Sequence, residues 1–305
     1  MKYGAHQVTG QEIRGLLWGL LGVTAFSLTL PATRAAVPYL GVAFVFLGRV
    51  AGAGVAAALI LWLTRQPLPR REDWPGLIVT SLGVVIGFPF LTTLALNYVP
   101  ASHGAVVVGL LPISTAVAGA VFAGERPSSR FWLASGAATA IVVAFVLQST
   151  DGRLSLPDAA LVGAVLAAAC GYAKGGQLAG RLGAWQVICW SLVIALPLTA
   201  TAALLFVTFP QQPVPASAWL GFAYAMLVSQ LTGFFAWYYG LALGGIARVS
   251  QMQLMQLFFT LAASAWLLGE TIDGRLLIYG IAVAAAVAFG ARARIARTMA
   301  ARSHV

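Results

Sequence analysis

Charged residues are almost confined to short gaps between apolar runs, and those runs are long enough to cross a bilayer. A helix needs about 20 apolar residues to span the hydrocarbon. Inside lipid every backbone amide must find its partner within the chain, so helices are the expected spanning form. A transmembrane barrel would show short alternating segments instead. Hydrophobic residues make up 60% of the 305 positions and charged residues 9%, whereas a soluble domain carries about a quarter charged residues. About ten spans fit at the required length. No room is left for a soluble domain. The first apolar run is longer than the 7–15 residues of a signal-peptide core, so it is expected to be retained as a span.

The second constraint is internal repetition, the signature to look for before any fold is assigned. The span 101–122 contains Pro112 and closes with Gly124-Glu125-Arg126-Pro127; Arg130 opens the next run. Adding 145 brings the feature back: Gly124 maps to Gly269, Glu125 to Glu270 and Arg130 to Arg275. The same shift pairs Trp74 with Trp219, Gly76 with Gly221 and Leu96 with Leu241. One five-span unit is therefore written twice. The expected spans of the first unit (13–148) are 13–37, 40–63, 75–96, 101–122 and 131–148. A linker at 149–157 separates it from the second unit (158–296), with spans 159–179, 185–209, 219–243, 246–268 and 276–296 and a basic tail at 297–305.

The loops orient the chain. Lys2, Arg14, Arg65, Arg70, Arg71, Arg126, Arg130, Arg181, Arg248 and the tail Arg292, Arg294, Arg297 and Arg302 fall on one side, thirteen in all. Arg34, Arg153 and Arg275 fall on the other. By the positive-inside rule both termini are expected in the cytoplasm. The net charge of +10 thus belongs to membrane topology, and no nucleic-acid partner is expected. Five is odd, so the second unit enters the membrane from the opposite side. The expected fold class is an all-α polytopic membrane protein with ten transmembrane helices in two inverted repeats. Many secondary transporters are built this way, with a substrate site near the midplane between the halves.

The five-plus-five plan, Pro112 followed by Gly124-Glu125, and the second Gly269-Glu270 resemble the drug/metabolite transporter superfamily, in particular its EamA-like permeases. The resemblance covers about residues 13–296. Leu257 stands where the second copy would carry the proline. The resemblance implies a bacterial inner-membrane transporter that exports amino acids or related small metabolites. Members that export aromatic amino acids tend to carry a Trp before the proline, where this chain has Leu111.

Ionisable and amide side chains inside spans carry the candidate substrate site, because they are costly in hydrocarbon. Arg49 in the second span could receive a carboxylate, or be satisfied by helix-end carbonyls or snorkel outward. Lys174 in the sixth span is a second cation, nearer an end. His103 opens the fourth span and could titrate near neutral pH. Gln230, Phe234, Trp237 and Tyr238 lie roughly on one face of the eighth span. Gln253 and Gln256 share a face of the ninth, with Gln251 nearby. Aromatics with a few amides suit a small amphipathic ligand, and interhelical hydrogen bonding is the plainer use. Trp18, Tyr172 and Trp190 are read as packing or interface anchors. Pro31, Pro89, Pro112 and Pro197 favour kinks. Glu125 and Glu270 are expected at opposite membrane faces as structural groups that cap or brace the following helix.

Cys170 and Cys189 lie in apolar runs without metal-ligand or disulfide spacing, and no cofactor or metal is expected. An intramembrane enzyme would need a Ser/His pair, paired aspartates or clustered His within spans. Ser102 and His103 are adjacent in sequence and do not face each other on a helix, so no catalytic residue is assigned. A scaffold or sensor would need an extramembrane domain. The partners expected are a small molecule and the lipid bilayer; the oligomeric state, a homodimer included, stays open.

Overall fold

A computed structural model describes residues 10–123, 125–149, 155–291 and 295–297. Gly124, most of the linker and the tail from 298 onward lie outside the described residues, as does the side chain of Glu125. The described chain is helical nearly throughout. In order come α1 (Gly10–Ser27), α2 (Thr29–Ala43), α3 (Arg49–Leu63), α4 (Trp74–Thr80), α5 (Phe88–Leu96), α6 (Ala101–Val108), α7 (Leu111–Ala123) and α8 (Ser129–Ser149). The second half has α9 (Leu156–Leu182), α10 (Ala184–Phe206), α11 (Ala216–Ala223), α12 (Gly233–Gly244), α13 (Ile246–Val249), α14 (Gln253–Leu268) and α15 (Gly274–Ala291). Six helical stretches among the described residues are long and apolar enough to cross a membrane, with shorter apolar helices besides.

The first of these stretches, Gly10–Leu63, doubles back on itself. Ala32 and Gly48 both lie against the turn of α11 that holds Gly221 and Phe222. A straight helix would hold residues 32 and 48 about 24 Å apart. The reversal falls at Gly41, whose φ of 79° and ψ of 159° break the helix in a region that only glycine enters without strain. The last span ends earlier than the sequence suggested. α15 stops at Ala291, and Ile295–Arg297 instead pairs antiparallel with Glu125–Pro127, Arg126 opposite Ala296.

Repeat-related helices pack against each other antiparallel. Gln186 of α10 donates to Gln66 beyond α3 (3.5 Å), while Gly54 of α3 lies against Leu192 and Leu196. Further along α3 therefore means further back along α10. The fourth and ninth spans behave alike: Ala101 meets Glu270, Gly109 meets Leu257, and the Ser250 hydroxyl donates to the Pro112 carbonyl.

Glu270 is where expectation and structure part. It does not cap the following helix. Its two carboxylate oxygens accept the N–H groups of Ala101 and Ser102, each at 2.8 Å. A carboxylate here satisfies two of the four orphan donors at the start of α6 and meets the positive end of the helix dipole. Gly269 makes the reach possible by taking a left-handed turn (φ 66°) at the end of α14. Glu270→Ala is expected to destabilise the protein by about 1–2 kcal/mol. Thermal unfolding in detergent checks this, with Glu270→Gln expected to fall in between.

Candidate functional site

Three π-helical segments converge at the centre of the bundle: Phe44–Gly48, Ser81–Gly87 and Tyr224–Thr232. The second and third are repeat counterparts, since 81 + 145 = 226 and 87 + 145 = 232 fall within Tyr224–Thr232. A π turn widens the helix and loosens its hydrogen-bond ladder, and such turns concentrate at functional sites. Here the loosened segments carry the polar network. Arg49 follows the first directly and is only 1% exposed. Its Nε donates to Gln230 Oε1 (2.8 Å) and its Nη2 to Ser229 Oγ (3.2 Å), both in the third segment. Gln230 Nε2 donates onward to the Val84 carbonyl (3.1 Å) in the second. Thr29 Oγ1 and Ser229 Oγ share a hydrogen bond of 2.7 Å. Arg49 therefore neither snorkels nor rests on helix-end carbonyls. It is held by side chains of the other half.

Broken helices supply the rest of the wall. Leu28 interrupts the first span between α1 and α2. Pro31 has no N–H, so the Ser27 carbonyl four residues back loses its helical partner. Thr260 Oγ1 donates to that carbonyl at 2.9 Å, and Tyr224 OH donates to the Ala25 carbonyl at 2.7 Å. The fourth span breaks similarly at Gly109-Leu110, just ahead of Pro112.

The cleft beside Arg49 encloses a cavity of only about 10 Å³, about the room of one water molecule. Phe26, Thr29, Val84, Phe88, Tyr172, Ser229, Phe234 and Gln256 line it with Arg49. It is narrow, and an amino acid would enter only if the surrounding side chains moved. Phe26 forms its aromatic floor, with Phe234 at 4.9 Å, Trp237 at 6.2 Å and Tyr172 at 6.3 Å between ring centroids. Several buried polar atoms nearby have no hydrogen-bond partner among the described residues: Arg49 Nη1, Gln256 Oε1, Trp237 Nε1 and both amide atoms of Gln253. Orphaned groups of this kind are costly, and a cluster of them marks where a polar ligand or water belongs.

The sequence-derived candidates thus separate. Arg49 and Gln256 line the cleft, and Gln230 positions Arg49. Trp237 packs behind the wall, and Tyr238 donates to the Gly171 carbonyl at 3.2 Å. Lys174 does not line the cleft; its ammonium lies 4.8 Å from the centre of the Phe122 ring. His103 is also elsewhere, bonded to Asp158 through Nε2 at 2.7 Å. Tyr172, read as a packing or interface anchor, is packed in the core and also lines the cleft, and Ser229 and Thr29 were missed. Their residue types are common in any membrane helix. The one available signal was Ser229 preceding Gln230. Trp18 stacks edge-on with Tyr239 at 5.3 Å. Cys170 and Cys189 are free thiols, and no metal-binding cluster occurs among the described residues.

Comparison with known proteins agrees with this architecture. Residues 13–147 and 156–291 each match the EamA-like transporter family. "Uncharacterized transporter YdeK" of Bacillus subtilis is 43% identical over 278 residues, 91% of this chain and 97% of that protein. "Probable terminal-alkyne amino-acid exporter" of Streptantibioticus cattleyicolor is 27% identical over 274 residues, 87% of this chain and 89% of that one. A solved structure, titled only "Crystal structure of protein", superposes with a TM-score of 0.60 at 20% identity, covering 93% of this chain and 99% of that chain. It supports the fold alone.

Proposed function

We propose that this chain, which belongs to the EamA-like transporter family, exports amino acids or closely related carboxylates across the bacterial inner membrane by alternating access. A multi-pass membrane transporter, not an enzyme, is the premise. The substrate class is our reading. One observation carries it: a buried guanidinium, fixed by Gln230 and Ser229, keeps Nη1 unpaired beside a cleft. An unpaired guanidinium edge suits a carboxylate oxygen. Across the cleft, the unpaired Gln256 Oε1 can accept from an ammonium group. The rings of Phe26, Tyr172 and Phe234 would hold a short apolar side chain. The amino-acid exporter among the relatives is consistent with that chemistry.

The alternating-access part rests on the antiparallel packing of counterpart helices, as expected of ten spans in two inverted repeats. Exchanging the conformations of two such halves opens the cleft to one face or the other. Tight closure around Arg49 is then the occluded stage. Positive-inside orientation puts the ends of α7 and α9 in the cytoplasm.

The test is a panel of ligands against the purified protein in detergent. Amino acids are expected to raise the unfolding temperature with the logarithm of their concentration above Kd, and amines lacking the carboxylate are not. Equal stabilisation by the decarboxylated amines would refute the assignment. Gln256→Ala is expected to weaken apparent affinity roughly tenfold for ligands bearing an ammonium group, and less for simple carboxylates, as one hydrogen bond to a charged group is worth about 1.5–3 kcal/mol.

A further inference from the structure

Two ion pairs tie the halves together at opposite ends of the bundle, and they are repeat counterparts. At one end His103, at the start of α6, meets Asp158, at the start of α9. At the other, Arg248 in α13 meets Glu12 in α1. The cations match under the repeat, since 103 + 145 = 248. The acids match to within one position, since 158 − 145 = 13. Each pair joins the fourth span of one half to the first span of the other. The Arg–Glu pair stays charged at any physiological pH. In the other pair the basic partner is an imidazole, the side-chain type that can change charge near neutral pH.

We propose that His103 and Asp158 form a proton-binding site that gates one face of the transporter. Asp158 is 1% exposed, and Ser155 Oγ donates to its second oxygen. Its first oxygen is 2.7 Å from His103 Nε2. The imidazole is 12% exposed at its side chain and lies over the Phe145 ring, 4.9 Å between centroids. A protonated imidazole makes a full ion pair there, a neutral one only a hydrogen bond. Opening that end separates the partners. Acid therefore favours the closed end, and rising pH releases it.

Among the described residues, few other charges surround the pair. Glu270 is engaged by the Ala101 and Ser102 amides, and Arg34 by the Leu96 and Asn97 carbonyls. Asp273, just ahead of α15, accepts from the Leu276 N–H, Arg275 lies in the first turn of that helix, and Tyr279 packs behind Phe145. The proposal rests on the transport reading only for the word gate; proton binding and opening are measurable without a substrate.

The experiment places spin labels at Tyr98 and Leu156, exposed by 64% and 67%, on a Cys170→Ala, Cys189→Ala background in lipid nanodiscs. The wild-type ratio of closed to open distances is expected to rise severalfold from pH 8 to pH 5.5. His103→Arg, which copies the Arg248 pair, is expected to hold the closed distance at both pH values. His103→Gln and Asp158→Asn are expected to give ratios indifferent to pH. A wild-type ratio unmoved by pH, or a His103→Gln ratio that still moves, would overturn the proposal. A pH-sensitive gate in a protein that bound no carboxylate would sink the substrate assignment alone.

Discussion

Arg49→Gln is expected to lower transport of the cognate carboxylate at least about thirtyfold in proteoliposomes, with the protein still folded. The magnitude follows from the geometry. Truncating one partner of a buried, hydrogen-bonded charge pair costs about 2–5 kcal/mol, most of it from the charge left unpaired. Here the charge left behind would be the substrate's own carboxylate. The protein itself loses less, because glutamine is neutral and the burial of a cation is relieved. Arg49→Lys should recover little. Lysine keeps the charge but offers a point ammonium in place of a planar fork, and cannot reach Gln230, Ser229 and a ligand at once in the same geometry. Gln230→Ala tests the support. It touches Arg49 and the Val84 carbonyl, so it should raise KM with a smaller loss of maximal rate. Undiminished flux of every carboxylate substrate in Arg49→Gln liposomes would remove Arg49 from the pathway.

How much of this was legible beforehand depends on the kind of information each residue carries. The 145-residue shift and the apolar runs were visible because both are properties of the linear chain. Arg49 and Gln230 were visible because a cation or an amide in hydrocarbon needs a partner. Which partner was not visible: they lie 181 positions apart, and no local pattern encodes that meeting. The same applies to Glu270, whose neighbours in sequence suggested the next helix and whose partners are 168 and 169 positions back. Asp158 was hidden by its place at the linker's edge, where an acid reads as a loop residue. Tyr172 and Ser229 were hidden by type. The π segments had no signal at all, since a π turn changes hydrogen-bond register without changing composition.

Gly15→Val or Gly240→Val is expected to cause the largest loss of folded protein of any single change considered, with little monodisperse material in fluorescence size-exclusion chromatography. In hydrocarbon no hydrophobic drive brings helices together, so close backbone approach carries the packing. α1 and α12 meet through two four-residue glycine spacings, Gly15 to Gly19 and Gly240 to Gly244, running antiparallel. A Cβ on Gly15 would lie 2.5 Å from the Gly244 nitrogen, and one on Gly240 2.6 Å from the Gly19 nitrogen. These obstacles are backbone, not flexible side-chain ends, so the helices themselves must part. Overpacking typically costs about 1–3 kcal/mol, and separation would also disturb Gly22, which lies against Trp237 behind the cleft. Gly180→Ala is the control: nothing lies within 4 Å of a Cβ there, and alanine is the better helix former by about 1 kcal/mol. If Gly15→Val migrated as a sharp peak with unchanged melting temperature, the contact between these two helices would not be what holds the halves together.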